Sequence, residues 1–467
     1  MSPRAHITAI ALAAPALAMV ALAAPALAKK QPAPPSLEAV AAELIGGALT
    51  SDDAWEELTE LCDTIGHRLT GSPALERAVD WGAARMAEDG LTATRQEVAV
   101  QVWTRGEESL TMLAPVEREL GMLGLGWSVG TPGGGVEAEV LVVDDFEHLE
   151  RLGEAVAGRI VLYDVPFTTY GETVKYRSKG PAAAEALGAV AVLVRSVAPH
   201  GLYTPHTGSL DHGAAPQIPA AAVTLEDAAW MRRLSERGEP VRLALKMGAQ
   251  DRGEGVSHNV IGELKGRELP DEYVVLGCHL DSWDVGQGAQ DDGFGCAAAM
   301  EAGRLIAALE VAPRRSVRVV LFTNEENGLG GARAYAAAAV EAGERHVGAI
   351  ESDTGGGLPA GFRVDVRGED EAAVEARLAE VMAALAPVSA LLRPLAGDGL
   401  RRAYSGADVG PLVELGALGL GVDHDTTGYW PIHHTPADTL DKIDPDNLRR
   451  TAAEMAVMGY ALAELDL

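Results

Sequence analysis

Apolar positions recur at two different periods along this chain, and the period in force changes twice. Near the N-terminus, residues 37–49, 54–65 and 74–89 carry apolar side chains at helical spacing, and Gly90 closes the third stretch as a C-cap. Residues 92–103 alternate apolar and polar and predict a strand. The character changes near Pro115. Short β-branched runs follow at 136–143, 158–163, 188–194, 218–223 and 241–247, with helical patterns only at 179–187 and 225–237. This reads as a β-rich insert over 116–248. From Ser257 onward strand and helix alternate. Strands are expected at 257–264, 273–278, 317–322, 347–352 and 418–422. Helices are expected at 295–309, 330–342, 369–385 and 445–464, the last with Asp444 as N-cap and Pro445 at its first position. The fold class is α/β, a mostly parallel twisted sheet with helices on both faces.

Composition narrows the picture. Hydrophobic residues make up 47% of the 467 but aromatics only 4%, with 53 glycines, so small-residue packing of helix on sheet is expected. The formal charge of −30 argues against a nucleic-acid partner, because phosphate contacts need Lys and Arg. Residues 1–28 read as a secretory signal peptide: Arg4, a long apolar run broken by Pro15, then Ala26-Leu27-Ala28 before Lys29-Lys30. The mature chain is therefore expected to be exported, secreted or periplasmic, without a membrane partner. Cys62, Cys278 and Cys296 are too few for a disulfide framework. Alternation points Cys278 away from the face that carries His279.

The candidate chemistry lies just past the predicted strand ends, where ligands gather in open α/β sheets. Gly277-Cys278-His279-Leu280-Asp281 ends one strand, Asn324-Glu325-Glu326-Asn327 follows another, and Glu351-Ser352-Asp353 ends a third. Gly288-Ala289-Gln290-Asp291-Asp292-Gly293 leads into a helix, and a late loop brings His433 and His434. Zinc takes imidazole nitrogen and carboxylate oxygen and, in catalytic sites, leaves one position open. Two His and three carboxylates exceed what one catalytic zinc uses. They suit a pair of ions sharing a bridging carboxylate. Of the adjacent acids, Glu326 serves as ligand and Glu325 as general base. The Asp281 carboxylate is expected to accept the other imidazole N–H of His279 and fix its tautomer.

This ordered set resembles the M28 family of dizinc peptidases. The His-x-Asp, Gly-x-x-Asp, Glu-Glu, Asp and His-Thr motifs match, with 35 residues from Asp291 to Glu326 and 27 from Glu326 to Asp353. The resemblance implies two zinc ions per subunit, with Asp291 as the bridge and His279, Glu326, Asp353 and His434 as the other ligands. His434 is favoured over His433 because it precedes Thr435. Residues 116–248 resemble a protease-associated (PA) insert, so that 29–115 and 249–467 are two parts of one catalytic domain. The loop from His424 through Tyr429-Trp430 to His433-His434 resembles that of the PA-bearing exopeptidases. His424, Tyr429 and His433 are candidate substrate contacts, and Arg401 and Arg402 lie in a loop suited to reading a carboxylate. The expected activity is zinc-dependent exopeptidase cleavage of dipeptides or short peptides, with a broad aminopeptidase as the alternative. A glutaminyl cyclase-like enzyme and a non-catalytic scaffold are disfavoured by the complete ligand set. A homodimer is also implied.

Overall fold

Strand Leu269–His279 lies in the middle of an eight-stranded sheet, and every residue from Tyr273 to His279 is buried. The computed structural model describes residues 35–211 and 217–466. The predicted leader, residues 1–28, lies outside them. Across the sheet the strands run in the order Thr92–Thr104, Gln250–Leu264, Arg315–Phe322, Leu269–His279, Arg345–Glu351, Leu418–His424, Pro359–Asp365, Gly399–Arg402. The four from Arg315–Phe322 to Leu418–His424 are mutually parallel. The strands flanking this block pair with it antiparallel.

Burial on both faces follows from the sequence of the central strand. Val274, Leu276 and Cys278 join one core with the helices Leu37–Thr50, Phe294–Ala307 and Pro445–Glu464. Val275 points the other way, into a smaller core with Ala332, Tyr335 and Ala336 of helix Gly330–Ala342. The expected small-residue packing is present. A Cβ on Gly303 would come 2.4 Å from Val319, and one on Gly459 would come 2.8 Å from Leu276. These helices approach the sheet more closely than side chains would permit. All three cysteines are free and buried, and Cys278 faces Cys296 rather than the site.

The second sheet also has eight strands, in the order Arg118–Leu120, Glu108–Ala114, Arg242–Met247, Val136–Val143, Ile160–Tyr163, Ala191–Arg195, Ala220–Val223, Met122–Gly124. It draws in Glu108–Ala114, which lies before residue 116 and pairs with Arg242–Met247. It also carries more helix than its sequence pattern suggests, at Phe146–Leu152 and Tyr170–Ser178. Their polar, short sequences hide an inward face that only the sheet reveals. Similarly, helix Glu371–Leu391 continues through Pro387, beyond its expected stop. Pro387 removes one main-chain bond, while Leu385 and Val388 on either side are buried and hold the last turns in place. Among the described residues, no helix is long and apolar enough to cross a membrane.

Candidate metal centre

Parallel neighbours end on the same side of a sheet, so the segments after His279, Phe322 and Glu351 converge. His279 is the last residue of its strand. Asn324, at φ 64°, turns the chain after Phe322. Its side chain holds that turn, donating to Thr70 Oγ1 (3.2 Å) and accepting from the Gly330 N–H (3.2 Å). Glu325 and Glu326 are thereby aimed at the strand ends. Helix Phe294–Ala307 is preceded by the loop that delivers Asp291, where the Asp291–Asp292 peptide is cis.

Asp291 is the hub. Its Oδ1 lies 3.1 Å from His279 Nε2, and its Oδ2 lies 3.2 Å from His434 Nε2. Asp353 Oδ1 stands 3.5 Å from the same His279 nitrogen, and Glu326 Oε2 stands 3.1 Å from the His434 nitrogen. Two triads thus share one carboxylate: His279, Asp291 and Asp353 on one side, Asp291, Glu326 and His434 on the other. Asp292 lies in the same cluster, but its oxygens are taken by the main-chain N–H groups of His279 (3.3 Å) and Gly295 (3.1 Å). His433 also approaches Asp291 Oδ2, at 3.6 Å, with its ring stacked on His434 at 3.5 Å between centroids.

Both imidazoles present Nε2 because their Nδ1 atoms are occupied. His434 Nδ1 meets the Thr207 carbonyl at 3.3 Å. His279 Nδ1 meets the main-chain carbonyl of Asp281 at 2.9 Å. This corrects the expectation for Asp281: the acceptor is its carbonyl, not its carboxylate. The carboxylate instead accepts from Thr70 Oγ1 (3.1 Å) and from the Glu325 N–H (3.0 Å). Asp281 therefore ties His279 to the Glu325 main chain.

The electrostatics are those of carboxylates crowded out of water. Burial pushes the Glu325 carboxyl well above its usual range, and neighbouring Glu326 and Asp353 add to this against the opposing His279. Asp281 and Asp292 are raised by the same loss of water. Asp291 goes the other way: burial raises it, but hydrogen bonds from His279 and His434 hold it well below the usual carboxylate range. No Lys or Arg forms an ion pair with Asp291, Glu326 or Asp353 among the described residues. Among the described residues Glu326 Oε1 is buried without a hydrogen-bond partner. Buried, unpaired carboxylates are costly, and bound cations are what normally balance them. The donor set fits divalent metal ions of the borderline type.

The centre opens into a cavity of about 480 Å³. Tyr429, Trp430 and His433 line it from the late loop, and Tyr170 and Arg177 line it from the second sheet's helix. Tyr170 stacks on Trp430 at 4.8 Å. Tyr429 and His433 therefore lie where a ligand would touch them, but His424 does not. Its two ring nitrogens meet Thr354 Oγ1 (3.2 Å) and Thr451 Oγ1 (3.1 Å) behind the cavity wall. Arg401 and Arg402 are also elsewhere, on the edge strand Gly399–Arg402, paired with Asp423 of the strand Leu418–His424 and with Glu375 of helix Glu371–Leu391.

Several supporting residues had no clear signal of their own. Asp438 accepts from the Gln290 N–H (2.7 Å) and the Asp291 N–H (3.2 Å) and so fixes the loop that carries Asp291. Arg68 is fully buried and holds residues 280–288. Ser209 donates to the Glu326 carbonyl. Thr207 and Ser209 reach the site from over 100 residues away in sequence, and main-chain acceptors leave no trace in residue identity.

Peptidase family M28 matches residues 259–458, which contain every member of the two triads. Carboxypeptidase Q of Bos taurus is 40% identical over 415 residues, covering 88% of this chain and 86% of the bovine protein. This chain belongs to peptidase family M28. It is a metallo-exopeptidase. A solved M28 peptidase precursor from Shewanella amazonensis is 33% identical, with a TM-score of 0.85 over 92% of this chain and 97% of that one. The zinc aminopeptidase BSAP of Bacillus subtilis shares the M28 fold at a TM-score of 0.66 and 20% identity, over 88% and 95% of the two chains.

Proposed function

We propose that this M28 peptidase cleaves dipeptides or short peptides at a centre that holds two zinc ions. His279, Asp291 and Asp353 would hold one ion, and Asp291, Glu326 and His434 the other. The observation that carries this reading is Asp291, whose two oxygens face two different imidazoles at 3.1 and 3.2 Å. Bound zinc supplies Lewis acidity, which makes water nucleophilic near neutral pH and polarises a carbonyl.

The chain's own residues do the rest. Glu325 lines the cavity and makes no ion pair with Lys or Arg among the described residues. It takes a proton from the attacking water and passes it to the leaving amine, for which a raised carboxyl pKa is suited. Asp281 orients it through the main chain. The Asp281 and Thr207 carbonyls hold His279 and His434 with Nε2 free to bind metal. Tyr429, Trp430 and Tyr170 exclude water around the substrate. Residues 116–248, read as a PA-type insert, contribute Tyr170 to that wall. The leader pattern at 1–28 supports export.

The test is Glu325→Gln, assayed on a dipeptide panel alongside metal analysis. Expected is a loss of turnover of about 10²–10⁴-fold with two zinc ions per chain retained. Near-normal turnover would overturn the role of Glu325, and a stoichiometry other than two would overturn the paired site. Panel members with blocked amino or carboxyl ends separate dipeptidase or carboxypeptidase action from the aminopeptidase alternative.

A further inference from the structure

Two of the three cysteines meet, and they do so at the ends of the segment that carries His279 and Asp291. Cys278 is the penultimate residue of strand Leu269–His279, and Cys296 lies in the first turn of helix Phe294–Ala307. Their sulfurs stand 2.8 Å apart, and both side chains are fully buried. A disulfide bond is about 2.05 Å long, so joining them needs about 0.8 Å of further approach. The other neighbours of the pair are main-chain carbonyls. Cys278 Sγ lies 3.9 Å from the Val320 oxygen, and Cys296 Sγ lies 3.1 Å from the His279 oxygen. Thiols are weak donors, so little is lost when their protons leave. Cys62 is on the segment Leu61–Ile65 and, among the described residues, bonds to neither sulfur.

What the pair encloses gives it a task. Between the two cysteines lie His279, Asp281, Asp291 and Asp292. The middle of this segment is held by hydrogen bonds from Arg68 and to Asp438. Its ends are held by packing, since Cys278 and Cys296 belong to the same apolar core as Leu276 and Ala297. A bond between the sulfurs would make those ends covalent and restrict the unfolded chain more than the folded one. The leader pattern at 1–28 points to export, and exported proteins meet the conditions in which disulfides form and persist.

We propose that Cys278 and Cys296 are a disulfide site, oxidised as the exported chain folds, and that the bond staples the segment carrying His279 and Asp291. The oxidant is a protein disulfide. One cysteine sulfur attacks its S–S bond, giving a mixed disulfide and one oxidant thiol. The second cysteine sulfur then attacks the mixed disulfide. The Cys278–Cys296 bond forms, and two electrons and the two thiol protons end on the oxidant, which leaves as a dithiol. Both sulfurs are closed off from water in the folded protein, so the exchange precedes closure of the core.

The test uses the full chain, exported with its leader into an oxidising periplasm and purified without reductant. The protein is denatured, tagged with a maleimide before and after reduction, digested and mapped by mass. Expected is one tagged cysteine before reduction, Cys62, and three after it. A linked peptide pair containing Cys278 and Cys296, lighter by two hydrogens than the free peptides together, should accompany this. Three tagged cysteines before reduction overturn the proposal, and so does a link to Cys62. The staple is read on the metal-free protein by thermal unfolding with and without reductant, so the reading needs neither zinc nor peptidase activity. For a loop of this length in a chain of this size, reductant should lower the midpoint by about 3 °C. Cys62→Ala keeps that response, and the double variant Cys278→Ala, Cys296→Ala loses it. Equal midpoints for wild type with and without reductant overturn the staple.

Discussion

Arg68 shows how much of the centre depends on one side chain distant in sequence. Its Nε donates to the Leu280 carbonyl at 2.7 Å, Nη1 to the Gly66 and Gln287 carbonyls at 2.8 Å, and Nη2 to the Gly288 carbonyl at 3.0 Å. The Leu280, Gln287 and Gly288 carbonyls lie in the loop between His279 and Asp291, so Arg68 sets the distance between these two residues. A lysine keeps the charge but not the planar fork. Arg68→Lys leaves buried carbonyls unmet, at about 1–3 kcal/mol each. We expect a loss of about 2–4 kcal/mol in stability together with weaker metal retention. Chemical denaturation and metal competition check this. A variant as stable as wild type would show that the loop holds itself. The task of Arg68 is not legible in its own stretch, Gly66-His67-Arg68-Leu69-Thr70. The four acceptors of Arg68 are main-chain carbonyls, so residue types could not announce them.

Elements meet where helix Asp53–Glu60 packs against helix Phe294–Ala307 and the end of helix Pro73–Glu88. Glu57 faces inward there, and its Oε2 has no partner among the described residues. Burial, then Asp89 and Glu301, push its carboxyl up to about 8. A raised folded-state value for an acid means that the folded protein holds the proton more tightly than the unfolded chain. Stability is then highest at low pH. It falls as pH rises from the unfolded value near 4.5 through about 8, and the cost is fully present above that. Glu57→Gln removes the ionisation and keeps the shape. We expect it to stabilise the protein by at least about 2 kcal/mol at pH 9 and by much less near pH 5. Unfolding midpoints of both proteins across this range check the sign. An equal difference at the two ends would place the cost outside Glu57. The helix itself was plain from its apolar spacing. Which polar residue it buries was not, because that depends on the rotation of three helices against each other.

At the scale of the molecule, what the sequence made legible and what it did not separate by distance along the chain. The strand-helix alternation after Ser257 and the motif residues at strand ends were readable, since each rests on a short stretch. The flank made by Pro359–Asp365 and Gly399–Arg402 was not, because both are short, glycine-bearing strands that form only against their neighbours. Nor was the reach of Thr207 and Ser209 into the centre, which requires both sheets to be in place. The consequence is a site whose acids are assembled by the whole fold while their charge is balanced by none of it. Among the described residues, Asp291, Glu326 and Asp353 have no cationic side chain other than histidine beside them. Cations that bind only the assembled site must therefore stabilise the whole folded unit through linkage. Chelation is expected to lower the unfolding temperature, and zinc at a hundredfold over its dissociation constant to restore about 2.7 kcal/mol. Asp291→Ala, which removes the carboxylate proposed to be shared, should abolish that response while Ser209→Ala keeps it. Thermal unfolding with chelator and with graded zinc measures both. Superimposable curves for the wild type would show that the acids are tolerated without cations, and that the centre does not contribute to holding the fold.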